Sequence, residues 1–337
     1  MYRSKFKLSI LDQSPAAESE SGSDAIAHTI FLVQKAETLG YHRFWVAEHH
    51  DSPRHMGSSP EVLISHLLAK TNSIRIGSGG VMLQHYSPYK VAENFNVLAS
   101  LCPGRVDLGI GRGPGGLPKT TKALQQGNDP GINSFEDKLI QLRQYIHDDI
   151  EPEHPLYGIK AKPLPEVPAD LFLLGTSLSS AEIAAHIGLP YVFAVFLNSD
   201  AAVMNEALKH YSDNYKYNSD STARPMLALP IIVAESETEA AQYASEIIIV
   251  RITLASGRTF TVFSIEAAEE LGRQSNEEFT YEIQPGSVVH GTKDIVRQKI
   301  NRIRASHPVE EIFAVTAIQS FEKRVRSYEL LSEISWD

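Results

Sequence analysis

The segment Glu48-His49-His50-Asp51 sets two imidazoles between two carboxylates. Histidine is the side chain whose ordinary pKa lies nearest neutrality, so the segment suits proton transfer or hydrogen bonding to a polar reactant. Successive side chains on extended backbone face opposite ways, so His49 and His50 cannot both point into one site, and one of them is structural. No third ligand is fixed beside them, and no metal is expected. A second segment, Gly175-Thr176-Ser177-Leu178-Ser179-Ser180, gathers hydroxyls ahead of an apolar helical stretch. A helix N-terminus offers unpaired N–H groups and a positive dipole end, so this turn suits a phosphate; plain capping by Ser177 or Ser179 explains the same residues. Arg112, between Gly111 and Gly113, carries a guanidinium that matches phosphate geometry, and it fits an ordinary surface arginine equally. Ile76-Gly77-Ser78-Gly79-Gly80-Val81 lets the backbone approach a flat group, because glycine lacks Cβ, or it makes a tight turn. Neither this segment nor Gly109-Ile110-Gly111-Arg112-Gly113 matches the dinucleotide pattern G-x-G-x-x-G.

These segments come directly after short apolar runs. Strand-like runs lie at 7–11, 43–47, 74–77, 106–110, 171–174, 191–195, 226–233 and 312–316. Helical spacing fills 23–39, 59–71, 88–101, 133–148, 179–187, 200–218, 235–255 and 320–334. Alternation of strand and helix means parallel strands with crossover helices. The repeated units predict a closed (β/α)8 TIM barrel, with a doubly wound open sheet as the second choice. Ser23 is expected to cap the first helix, Gly40 to end it, and Pro60 and Pro88 to occupy first helical positions. Excursions are expected near 113–132, 151–169 and 251–287, that is, after strand four and between strands seven and eight. In such a barrel chemistry gathers at the C-terminal ends of the strands, where the segments above all fall.

The 337 residues suit one large barrel spanning 1–337 with these insertions. Hydrophobic residues at 42% and charged residues at 21% are ordinary for a globular chain. A net charge of −10 disfavours a nucleic-acid surface. Cys102 is the one cysteine, which rules out an intrachain disulfide and argues against a cysteine-based zinc site. The apolar run 191–197 is too short for a bilayer, and 8–11 is too short for a signal peptide, so a soluble cytoplasmic protein with no membrane partner is expected.

Taken in order, Gly40-Tyr41-His42-Arg43-Phe44-Trp45-Val46-Ala47-Glu48-His49-His50, Ile76 to Leu83, Ser87 to Glu93 and Gly104 to Gly113 resemble the bacterial luciferase-like flavin-dependent monooxygenases. Glu311 to Thr316 and Arg326 to Leu331 fit the same family. The resemblance implies a (β/α)8 barrel holding reduced FMN supplied by a separate flavin reductase. It further implies dioxygen and a small organic substrate to be oxygenated, and a homodimer. A non-prolyl cis bond is implied at Gly79-Gly80 beneath the flavin ring, with Ser78 beside it. Arg112, Thr176, Ser177 and Ser180 are implied at the phosphate, and His49 in catalysis; Glu93 either supports the pocket or makes an ion pair. A deazaflavin-dependent oxidoreductase and a non-catalytic flavin-binding barrel are the alternatives. Gly111 stands where the luciferase catalytic subunit has a reactive cysteine, and Thr176 where it has a glutamate, so light emission and a long-chain aldehyde substrate are not implied.

Overall fold

The structure, a computed structural model, describes residues 6–126, 134–216 and 222–336. The end of the 113–132 excursion and the expected helix boundaries at Asn133 and Asn218 lie outside these residues. Eight parallel strands alternate with helices. They are β1 (Lys7–Asp12), β2 (Arg43–Val46), β3 (Arg75–Met82), β4 (Val106–Gly111), β5 (Asp170–Gly175), β6 (Tyr191–Ala194), β7 (Pro225–Val233) and β12 (Glu311–Val315). The order β7-β12-β1-β2-β3-β4-β5-β6 closes on itself through β6 and β7, so the sheet is a barrel rather than an open sheet. All eight expected strands are present. Their apolar runs are buried on both faces, as the wall of a parallel barrel requires.

The surrounding helices are α1 (Gly22–Thr38), α2 (Pro60–Ala69), α3 (Pro88–Leu101), α4 (Pro118–Leu124), α5 (Phe135–His147), α6 (Leu178–Ile187), α7 (Ala201–Asn214), α8 (Glu237–Ser245), α9 (Ile265–Ser275), α10 (Lys293–Ser306) and α11 (Phe321–Ser332). Pro60 and Pro88 open their helices as expected, and Gly40 lies just beyond α1 at φ +78. The cap of α1 is Ser21, not Ser23: the Ser21 hydroxyl takes the Asp24 N–H while the Asp24 carboxylate takes the Ser21 N–H, and only Ser21 has an acid at the right spacing.

The helix expected over 235–255 is wrong in its second half. Chain direction reverses after α8, and β8 (Ile248–Leu254) begins. With β9 (Thr259–Val262) and β10 (Phe279–Pro285) it forms a small antiparallel sheet, covered on one face by α9. A short strand, β11 (Val289–Gly291), then leads back to the barrel beside β7. This is the insertion between the seventh and eighth barrel strands. Leu117 packs into its core and the Lys119 N–H donates to Gln274 Oε1, so it leans on the insertion after β4.

The barrel interior changes character along its axis. Near the N-terminal end of the strands, Arg43 and Arg75 share Asp107, with Arg43 also on Glu311 at 2.9 Å. Trp45, Phe172, Phe313 and Met226 fill the middle. Towards the C-terminal end the inward positions include the small Ala47, Gly79 and Gly109, on the β2, β3 and β4 side, and the larger Leu11, Leu174 and Val315. Bulk therefore fills the lower and middle layers, and the small inward residues gather on the β2, β3 and β4 side of the mouth.

Candidate active site

The mouth is lined by the segments that come after β2, β3, β4 and β5. β2 ends at Val46, and the next residues leave the strand. Ala47 belongs to the interior cluster and Val46 to the outer one, and Glu48 and His50 are joined to each other and to the turn after β3, whereas His49 faces His55. His50 Nε2 donates to Glu48 Oε1 at 2.7 Å, Tyr86 donates to the same oxygen at 2.8 Å, and the Met82 N–H donates to Glu48 Oε2 at 3.1 Å. Glu48 is fully buried, and with these bonds it ties the ends of β2 and β3 together. Tyr86 is a partner that local spacing does not reveal, because 38 residues separate it from Glu48 and only the adjacency of β2 and β3 brings them together.

His49 is held by its backbone, whose N–H donates to Gly57 O at 2.7 Å, and its ring stacks on His55 with centroids 4.6 Å apart. Its Nδ1 is buried with no hydrogen-bond partner. Burial, with the neighbouring His55 and His50, pushes its pKa down to about 3. The side chain is therefore a neutral imidazole across the physiological range, with one ring nitrogen uncommitted.

Burial also lowers His42 and His55 to about 4. Their folded values lie below the ordinary 6.5, so the unfolded chain binds more protons as pH falls through that value. Stability is thus full above about pH 6.5 and declines towards pH 4.5, each histidine contributing up to about 1.4 kcal/mol per pH unit. Below that, Glu37 adds its own loss. It accepts the N–H groups of Asn72, Ser73 and Ile74, and although burial opposes it these bonds hold its pKa near 2. Urea midpoints measured from pH 7.5 to 5 should fall with a slope of several protons; a flat profile would show that the buried imidazoles are open to water.

Ser78, Gly79 and Gly80 occupy β3. The Gly79-Gly80 bond is cis, as expected, and the pairing with β4 shifts register between Gly79 and Val81. A Cβ on Gly79 would lie 2.5 Å from Leu11 Cδ1, and one on Gly80 would lie 2.7 Å from Gly109 O. Only glycine fits at either position. The Ser78 hydroxyl donates to Gly109 O at 2.9 Å, so it fastens β3 to β4.

Arg112 lies just past β4, and the hydroxyl turn just past β5. Ile110 pairs with Leu173 across these strands, which makes Arg112 and the turn from Thr176 neighbours. Arg112 is exposed and has no ion pair or hydrogen bond among the described residues. Ser177 caps α6, and Ser180 completes the capping box. The Ser180 hydroxyl also donates to Ser177 O at 2.7 Å and lies 2.8 Å from the Tyr191 hydroxyl, so what the turn has to offer a ligand is its first N–H groups and the Thr176 side chain. Glu93 lies outside this group, paired with Lys90 at 3.1 Å. The structure thus gathers His49, Gly79, Gly80, Arg112 and the 176–180 turn at one end of the barrel.

Known proteins share this architecture. The luciferase-like monooxygenase family model matches residues 5–308. An N-acetyl-S-alkylcysteine monooxygenase of Bacillus subtilis (strain 168) is 38% identical over 327 residues, covering 97% of each chain. The crystal structure of apo-MsnO8 superposes with a TM-score of 0.79 at 33% identity, over 98% of both chains. The oxygenating constituent of 3,6-diketocamphane monooxygenase from Pseudomonas putida, a type II Baeyer-Villiger enzyme solved in complex with FMN, shares the fold, with a TM-score of 0.69 at 16% identity over 98% of this chain and 97% of that one.

Proposed function

The chain belongs to the luciferase-like monooxygenase family of enzymes, and on that premise we propose that it binds reduced FMN at the C-terminal mouth of its barrel and oxygenates a small organic substrate with dioxygen. The observation that carries this reading is the mouth itself. A wall of glycines that no Cβ can join stands on the β3 and β4 side of the mouth, and an uncommitted arginine neighbours a helix N-terminus at its rim. A flat ring fits against Gly79 and Gly80, and its phosphate fits between Arg112 and the N–H groups of the 176–180 turn. The unpartnered Nδ1 of His49 is a polar atom left for a ligand.

When bound, reduced FMN supplies the electrons that activate dioxygen; a separate flavin reductase delivers it. The protein's residues do the rest. Arg112 and the α6 N-terminus anchor one end of the cofactor, the glycine wall sets the plane of the ring, and the insertions after β4 and β7 exclude water. His49, neutral, gives or takes a hydrogen bond at Nδ1. The Bacillus subtilis relative makes N-acetylated S-alkyl cysteines the first substrate class to assay. The protein works in the cytoplasm; among the described residues no helix is long and apolar enough to cross a membrane.

Titration with reduced FMN and with a reduced deazaflavin, monitored by fluorescence, tests the cofactor. FMN should bind tightly, and Arg112→Ala should weaken it by about 10-fold or more, the worth of a charge-assisted bond of roughly 1.5–3 kcal/mol. Preference for the deazaflavin, or unchanged FMN affinity in the variant, would overturn the assignment. Tight binding without oxygen consumption would instead favour a non-catalytic flavin barrel.

The protein pairs as a homodimer through α2 and α3. Val62, Val97 and Leu101 stand exposed on these helices, and Leu156, Tyr157 and Ile159 extend the patch from the segment that Tyr89 and Asn96 hold against α3. Light scattering at micromolar concentration should give twice the 37.3 kDa chain mass, and Leu101→Glu should halve it.

A further inference from the structure

We propose that Gln84 and His85 are positioning residues for Arg112, and that through it they set the preference of the site for a phosphorylated flavin over one without phosphate. The inference rests on the FMN reading above. Arg112 opens the segment Arg112-Gly113-Pro114-Gly115-Gly116, in which Gly115 adopts φ +63. A stretch so rich in glycine has much conformational freedom to lose, and the arginine itself has no bond among the described residues that would hold it. Its aim depends on how the carbonyls after it are held.

Three consecutive carbonyls are held, two by the turn after β3 and one by the segment after β2. Gln84 Nε2 donates to Gly113 O at 2.8 Å, His85 Nε2 to Pro114 O at 2.8 Å, and the His50 N–H to Gly115 O at 2.7 Å. A carbonyl can only accept, so the His85 proton sits on Nε2. His85 Nδ1 then presents its lone pair, and it takes the amide of Gln125 at 3.1 Å. One ring thus joins the start of the segment to the end of α4, in a single tautomer. The donors are themselves fixed. His85 is buried, Lys138 Nζ donates to Gln84 O at 2.9 Å and to Tyr86 O at 3.3 Å, and Glu48 takes the Met82 N–H just ahead of the turn. A rigid turn after β3 therefore grips the flexible segment after β4. Without that grip the guanidinium keeps its charge and loses its direction, which a bidentate anion contact depends on.

FMN and riboflavin differ only in the phosphate, so their affinity ratio isolates Arg112. The measurement is equilibrium binding of each flavin by fluorescence quenching, on the full chain. His85→Phe keeps ring volume and deletes both ring bonds. It should weaken FMN by about 10-fold and change riboflavin by less than about 2-fold. Gln84→Ala, at a partly exposed position, should move the ratio in the same direction and carries the test if His85→Phe fails to fold. In an Arg112→Ala background neither change should move the ratio further, because the group they aim is gone. Equal weakening of both flavins, or full additivity with Arg112→Ala, would show a merely structural role and overturn the proposal. If the native chain prefers FMN and Arg112→Ala abolishes that preference while both clamp variants retain it, this inference fails alone. If the native chain does not distinguish FMN from riboflavin, the phosphate reading fails with it.

Discussion

His49→Ala should cut substrate oxygenation by about 100- to 10,000-fold, the usual range for loss of acid–base or hydrogen-bonding assistance, while FMN affinity changes little. The two effects separate because the phosphate contacts lie beyond β4 and β5, whereas His49 lies beyond β2. The ring of His49 is braced by His55, and its Nδ1 has no partner among the described residues. His50, in contrast, is committed to Glu48. His50→Ala should therefore cost stability more than turnover. The pH dependence carries a second signature. With a pKa pushed down to about 3, His49 stays neutral as pH falls from 8 to 5, so its contribution should be flat across that interval. The measurement is single-turnover consumption of dioxygen and substrate by the protein loaded with reduced FMN. If His49→Ala turns over at the native rate while His50→Ala does not, the assignment of the two histidines is reversed.

The barrel is legible in the sequence because parallel strands bury both faces and so read as continuous apolar runs, as at Tyr191-Val192-Phe193-Ala194 and Ile312-Phe313-Ala314-Val315. The runs end in polar or glycine residues, which places the site at one end. The small sheet is not legible in the same way. Val250, Ile252 and Leu254 alternate with exposed Arg251 and Thr253, a period-two signal that merges with the tail of a helical pattern. Strand β10 is exposed along most of its length and owes its place to pairing with β8, which leaves little trace in hydrophobicity. In the site, glycines and hydroxyls are visible as types, but the employment of each is not. Ser78 and Ser180 look alike in sequence to a hydroxyl that serves a ligand, yet both are engaged by the protein. The carboxylate of Glu48 and the ring of His85 matter through partners brought together by neighbouring strands and loops, which local spacing does not encode.

Asp107→Ala should destabilise the fold by about 3–5 kcal/mol, the cost of taking the central partner out of a buried charged cluster. Asp107 is fully buried. Its Oδ1 takes Arg43 Nη1 at 2.8 Å and Arg75 Nη2 at 2.5 Å, and its Oδ2 takes the indole N–H of Trp45 at 2.9 Å. The layer continues to Glu311, which accepts from Arg43 and from Ser9, and to Asp170, which Arg75 reaches at 2.7 Å. Together β1, β2, β3, β4, β5 and β12 are cross-linked by side chains at the end opposite the mouth. Removing the shared acceptor leaves Arg43, whose side chain is only 3% exposed, with Glu311 alone and Arg75 with the exposed Asp170 and backbone carbonyls, and it frees the Trp45 indole that Gly77 packs against at the distance a Cβ would forbid. Asp107→Asn keeps an acceptor for Trp45 and loses the charge, so it should fall between the two. Urea unfolding reads the difference. The FMN-to-riboflavin ratio should stay at its native value in whatever fraction folds, since the charged layer and the phosphate end lie at opposite ends of the barrel. A loss below about 1 kcal/mol in Asp107→Ala would mean that water replaces the carboxylate at the barrel floor. A changed phosphate preference would mean that the two ends are mechanically coupled through β4, the strand that carries Asp107 at its start and delivers Arg112 just past its end.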